Sequence, residues 1–152
     1  MRKIWAEKGS KPEGVYFSSN KKASVYGALI DGKELFHQWT DKLNSETFIE
    51  FVNNLFSYLP KDKKYVLILD NASYHKSKIT LNFLNSLGEN IFIEFIPPYS
   101  PQLNAIETCW KIVRYNVTNS NLFNSIKELV LGIETFLKTY IFMLNPANYL
   151  IR

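Results

Sequence analysis

An apolar run, Tyr65–Leu69, ends on Asp70; Asn71 follows, and His75 stands five positions past the acid. A second acid, Glu107, follows the proline-rich stretch Pro97-Pro98-Tyr99-Ser100-Pro101 and Asn104. Two carboxylates at the ends of neighbouring strands are the oxygen ligands that hard divalent cations such as Mg²⁺ or Mn²⁺ take, with positions left open for water and phosphate. A pair of such ions clamps the attacking and leaving oxygens of phosphoryl transfer, so phosphodiester chemistry is the leading expectation. Each residue also has a plain structural role open to it. Asp70 serves equally as a turn or helix cap, as Asn71 and Ser73 do. Glu107, three residues after Asn104, can close a capping box, with Lys111 and Arg114 continuing its face as a solvated charge row. His75 suits a surface or helix start, His37 a structural place in a strand, and Trp110 a core stripe with Ile106, Val113 and Val117. A phosphatase with Asp70 as nucleophile wants a second acid two residues on, where the chain has Ala72.

The elements that must position these groups follow from periodicity. Residues 21–30 and 34–40 flank Asp31-Gly32, a dipeptide that accepts the positive φ of a tight hairpin. Phe51, Val52, Leu55, Phe56 and Leu59 form one helical stripe, capped by Asn44 or Ser45 and ended near Pro60. The short continuous run 65–69 reads as a central strand covered on both faces. A short helix with Ile79, Phe83, Leu84 and Leu87 on one side stops at Gly88, and 91–96 gives another strand. The prolines of 97–101 remove amide donors and make a rigid connection, with a helix from about Ala105. The last helix opens on a capping box at Ser125–Glu128, and its apolar face runs through Ile126, Leu129, Val130, Ile133, Leu137, Tyr140 and Leu144. The order β-β-α-β-α-β-α-α describes an α/β mixed sheet with helical cover, in which functional groups collect past the carboxyl ends of central strands.

With 152 residues the chain is expected to form a single domain, 1–152, and 46% hydrophobic with 15% aromatic residues supply its core. A net charge of +4 is compatible with a polyanionic partner. The single cysteine, Cys109, excludes an internal disulfide framework and fits a reducing, cytoplasmic location. The most apolar stretch, 129–144, is interrupted by Glu134 and Lys138, so no membrane segment is expected.

LILDNASYHKS (67–77) and FIPPYSPQLNAIETCWKIVR (95–114) resemble the second and third acid motifs of DDE transposases of the mariner-like superfamily and its bacterial insertion-sequence relatives. WAEKGSKP (5–12) and VYGALIDG (25–32) resemble the stretch that follows the first acid in such enzymes. The resemblance implies an RNase H-like, retroviral integrase-like mixed sheet flanked by helices. It implies Asp70 and Glu107 as the second and third catalytic acids holding Mg²⁺ or Mn²⁺. Asn71, His75 and Asn104 would lie near the site, and Lys111 and Arg114 on DNA phosphates. The partners implied are transposon ends and target DNA, cut by water and joined by the freed 3′ hydroxyl. The family's first acid lies on a strand upstream of the WAEKG segment, and only four residues precede Trp5, so that strand and acid are expected to be missing. That strand is central in the family's sheet. Its loss leaves backbone edges for residues 2–7 to fill, either folded back or exchanged in a domain-swapped homodimer. The competing expectation is a non-catalytic remnant that dimerises or binds DNA non-specifically.

Overall fold

The computed structural model describes residues 22–121, 123–145 and 147–150; segments 2–7 and 5–12 lie outside them. Strands β1 (Ser24–Ile30) and β2 (Glu34–Thr40) pair antiparallel, with Gly27 opposite His37. Asp31 (φ 49°) and Gly32 (φ 74°) turn the hairpin, as the dipeptide predicts, and the Lys33 amide closes it on the Ile30 carbonyl at 3.0 Å. Helix α1 (Ser45–Tyr58) takes Asn44 as its cap: the Asn44 side chain accepts from the Thr47 amide at 2.9 Å, and Thr47 Oγ1 accepts from the Asn44 amide at 3.3 Å. Strands β3 (Tyr65–Leu69) and β4 (Ile91–Phe95) pair in parallel, Leu69 beside Phe95, joined through helix α2 (Lys78–Asn85). A 3₁₀ turn (Pro101–Leu103) leads into α3 (Ala105–Val113), which widens into a π turn (Arg114–Thr118). Helix α4 (Ile126–Thr139) and the short α5 (Ala147–Leu150) complete the described elements.

Side chains that alternate along the hairpin feed two cores. Tyr26 joins Phe48, Phe51, Val52, Leu69 and Leu84 in one cluster. Leu35 joins Cys109, Val113, Val117 and Phe142 in the other, with Trp110 and Ile106 packed against it, so the expected stripe is core. Full burial of each large side chain contributes about 1.5–3 kcal/mol. The hairpin is therefore a two-faced slab between α1 and α3.

Several expectations fail for local reasons. Strand β3 is covered on one face only: Val66, Ile68 and their neighbour Phe92 are 59%, 37% and 50% exposed. Ile79 is exposed too, and Thr80 takes the buried place in α2 because its hydroxyl bonds the Tyr74 carbonyl at 2.7 Å. Helix α4 stops at Thr139, because beyond it the backbone straightens to pair with the hairpin turn. The Phe142 and Leu144 amides donate to the Lys33 and Gly32 carbonyls at 2.8 and 2.9 Å, so Tyr140 and Leu144 belong to no helical face. At its start the Ser125 hydroxyl caps the Glu128 amide, but Glu128 reaches the Asn124 amide at 2.8 Å rather than that of Ser125, leaving half a capping box. Among the described residues the strands form two separate two-stranded sheets, β1–β2 and β3–β4.

Candidate functional site

Asp70 leaves the carboxyl end of β3 directly after buried Leu69. Its Oδ1 accepts from the Ala72 amide at 3.0 Å and lies 2.8 Å from His75 Nδ1, which also bonds the Asp70 backbone carbonyl at 3.2 Å. His75 is not a surface residue: it is 7% exposed, its ring 4.3 Å from that of Phe48 and 4.5 Å from that of Tyr74. The hydrogen bond from His75 is the largest cause holding the Asp70 carboxyl below its usual pKa. The Ala72 amide and the charge of His75 add to it, and partial burial opposes them. Both side-chain contacts fall on one oxygen, and the side chain stays 44% exposed, so the carboxylate keeps acceptor capacity toward solvent. Burial, followed by the nearby Tyr26 and Asp70, pushes the Tyr74 phenol up to about 12.

Asn71 ties this loop to the next strand. Its Nδ2 donates to the Ile96 carbonyl at 2.7 Å, and the Ile96 amide donates to the Leu69 carbonyl at 2.9 Å. Asn71 Oδ1 is buried with no hydrogen-bond partner among the described residues. On the far side Glu107 occupies the first turn of α3, and its amide donates to the Asn104 carbonyl at 3.1 Å. The Asn104 side chain makes no capping bond, so the capping-box role for Asn104 and Glu107 is overturned.

Asp70, His75, Asn104 and Glu107 line one cavity of ≈ 260 Å³. Its walls include residues 25–29 of β1 and 66–70 at the end of β3. Consecutive strand residues point to opposite faces, so an unbroken run against one cavity presents the strand's edge. The cavity is thus a cleft between two strand edges, with Phe48, Phe51 and Val52 of α1 on one side and Ile106 and Trp110 of α3 on the other. Gly27, which sequence reasoning passed over, seats α3. A Cβ there would stand 2.6 Å from Trp110 Cζ2 and 3.1 Å from Ile106 Cδ1. The available signal was a glycine inside a strand, which often marks close approach. Tyr149, also unforeseen, lines the cleft and donates to Thr108 Oγ1 at 3.2 Å. Lys111 and Arg114 are exposed on α3 and its continuation and are not among the described residues that line the cleft.

The donor set fits a hard divalent cation: two carboxylates on one cleft, neither spent on helix capping, and solvent access for water ligands. Among the described residues no group of three or more His, Cys, Asp or Glu gathers at one point. His37 is structural, as expected; its Nε2 bonds Glu134 Oε1 at 2.8 Å. No helix among the described residues is long and apolar enough to cross a membrane.

Residues 1–130 match the family model described as DDE superfamily endonuclease. The "Insertion element IS630 uncharacterized 39 kDa protein" of Shigella sonnei is 26% identical over 136 residues, 89% of this chain and 39% of that protein. "Uncharacterized protein y4pE/y4sA" of Sinorhizobium fredii (strain NBRC 101917 / NGR234) is 35% identical over 65 residues, 43% of this chain and 44% of its own length. The match thus spans less than half the length of these curated relatives. The "Crystal structure of the Mos1 Strand Transfer Complex" superposes with a TM-score of 0.67 at 14% identity, over 97% of this chain and 44% of that one. The fold is accordingly the α/β, RNase H-like one that the motifs led us to expect.

Proposed function

The chain belongs to the DDE superfamily endonuclease family, and we propose that it is the catalytic portion of a DNA transposase that cuts and joins DNA strands by phosphoryl transfer. The observation that carries this reading is the convergence of Asp70 and Glu107 on one cleft. There they would hold Mg²⁺ or Mn²⁺, which when bound supplies positive charge to the attacking and leaving oxygens. His75 fixes the orientation of the Asp70 carboxylate, Asn71 locks its loop to β4, and Asn104 offers an uncommitted amide at the cleft. Lys111 and Arg114 contact DNA phosphates outside it. Water attacks a phosphodiester and the 3′ oxygen leaves as a hydroxyl; that hydroxyl then attacks a target phosphodiester, displacing a second 3′ oxygen. The protein works on transposon ends and target DNA as a single-domain unit in the cytoplasm.

Among the described residues two carboxylates face the cleft, and so small a ligand set predicts weak metal binding. Calorimetry with Mn²⁺ tests the assignment: wild type binds and Asp70→Ala does not, whereas equal binding by both puts the metal elsewhere. Because no third acid joins these two among the described residues, a second reading is a non-catalytic domain that dimerises or binds DNA. Metal-dependent nicking of transposon-like DNA by the pure protein would exclude it. The cleft between β1 and β3 suits an extended segment hydrogen-bonded to both edges, about 4.8 Å from each. We infer that such a segment comes from a second copy of the chain, in a homodimer. Light scattering on the intact chain decides, since a monomer rules out the exchange.

A further inference from the structure

Four described residues have positive φ, and three have local reasons for it. Asp31 and Gly32 turn the hairpin, and Gly88 follows the end of α2 with no side chain to clash. The fourth is Tyr99, at φ 56°. Left-handed backbone costs an L-residue about 1–2 kcal/mol, and a bulky residue there is an outlier. Packing does not compensate Tyr99, whose side chain is 99% exposed. A glycine would meet the same turn at lower cost, so the aromatic ring must be used for something outside the folded chain.

Its surroundings say where. Ile96, three residues before it, is bonded to Leu69 and Asn71 on either side of Asp70. Just after it the Leu103 amide donates to the Ser100 carbonyl at 3.0 Å, and Leu103 and Asn104 line the cleft beside Glu107. Pro97 and Pro98 fix the approach, and Ser100 Oγ donates to the Pro98 carbonyl at 3.3 Å. The ring thus stands on a short stiff loop anchored at one end beside Asp70 and at the other beside Glu107.

We propose that Tyr99 is a stacking platform for an unpaired nucleobase of the DNA strand entering the cleft, a reading that rests on the transposase function above. A flat exposed ring on a rigid loop stacks on any base, whatever its identity, and a base held inside a duplex cannot reach it. Tyr99 therefore favours single-stranded or frayed DNA at the site without reading its sequence.

The test uses the full chain and two labelled DNAs: a blunt duplex and the same duplex with a single-stranded 3′ extension. Wild type binds the extended DNA more tightly. Tyr99→Ala weakens that binding by about 5- to 150-fold, the range given by loss of one base–aromatic stack, and leaves blunt-duplex binding unchanged. Tyr99→Phe, which keeps the ring, binds as wild type does. Tyr99→Gly loses the same binding while melting no lower than wild type, because the left-handed backbone is relieved. Equal effects of Tyr99→Ala on both DNAs, or none on either, overturn the stacking role and leave the transposase reading intact. Wild type that binds neither DNA overturns both.

Discussion

Gly27→Ala tests whether the seat of α3 on β1 sets the site. The added methyl would meet Trp110 Cζ2 at 2.6 Å, Ile106 Cδ1 at 3.1 Å and Trp110 Cη2 at 3.2 Å, all inside ordinary van der Waals contact. Two of these atoms belong to a rigid ring already packed against the second core, so the ring cannot swing aside without moving α3. Overpacking of this kind costs about 1–3 kcal/mol. Alanine returns about 0.4–1 kcal/mol, because it reduces the freedom of the unfolded chain at a position whose backbone is ordinary strand. Mid-range values leave a destabilisation of about 1–2 kcal/mol. At about 2–4 °C per kcal/mol for a chain of this size, that is a melting point lower by about 2–8 °C. Because α3 carries Glu107 one turn before Trp110, Mn²⁺ binding should fall in the same variant. Trp110→Phe removes the two clashing ring atoms, so in the double variant the Gly27→Ala penalty should shrink by about 1 kcal/mol or more, a coupling readable in urea denaturation. A Gly27→Ala protein as stable as wild type, or strictly additive behaviour with Trp110→Phe, would refute the close approach as the determinant of the position of α3.

Two further outcomes follow from charge. DNA binding should be sequence-independent and fall steeply with salt, and Lys111→Ala or Arg114→Ala should each lower the slope of log affinity against log salt by about 0.9; binding that ignores salt, or that prefers one duplex, contradicts this. Glu134 accepts from His37 Nε2 at 2.8 Å and from Trp39 Nε1 at 2.5 Å. Burial, the largest single influence, raises its pKa, but the Trp39 and His37 hydrogen bonds and the charges of His37 and Lys138 together bring it below the ordinary value. A carboxylate with a depressed folded pKa contributes stability that is present above its unfolded value, about 4.3, and is lost as pH falls through the folded value. Glu134→Gln should therefore unfold more easily than wild type near neutrality and match it in strong acid; a gap that stays constant with pH would show that the charge is not involved.

The elements were legible where one residue pattern admitted one structure. Asp31-Gly32 could only be a turn, and the stripe from Phe51 to Leu59 had only the helical period. Errors came where a pattern was shared by two structures. The apolar run Tyr65–Leu69 has the composition of a strand covered on both faces, yet Val66 and Ile68 face outward, because coverage depends on neighbours that the run does not contain. Tyr140 and Leu144 extend a helical stripe, but with Phe142 they also form an alternation of two, and backbone bonds to the hairpin turn decided for the latter. At the site, the two acids stood out by type and spacing, whereas the two asparagines entered only through the family resemblance; Asp70, Asn104 and Glu107 line one cleft. The tie from His75 to Asp70 was not, because burial of a histidine against Phe48 is a product of the assembled core. Gly27 and Tyr99 were visible as residues but silent as functions. One needed a helix brought against it, and the other needed a backbone angle.

How the two carboxylates keep their relative position follows from those same contacts. They stand on elements that share no strand pairing among the described residues: Asp70 belongs to β3–β4, and Glu107 follows the hairpin through α3. Besides the stiff loop 97–103, what joins them across the cleft is side-chain packing. Leu69, next to Asp70, and Tyr26, next to Gly27, lie in one buried cluster, and Tyr26 is itself held by its hydroxyl donating to the Asn44 carbonyl at 3.1 Å. From Gly27 the line continues through Trp110 to α3 and Glu107. A site held by apolar contact across a cleft resists compression well, because the core is close-packed, but resists shear along the strands poorly, because no ladder of hydrogen bonds fixes the register. A strand bound in the cleft would add such a ladder on both edges at once. Filling the cleft and ordering the pair of carboxylates are therefore one event, and a segment that pairs with β1 and β3 should tighten metal binding even if it brings no ligand of its own.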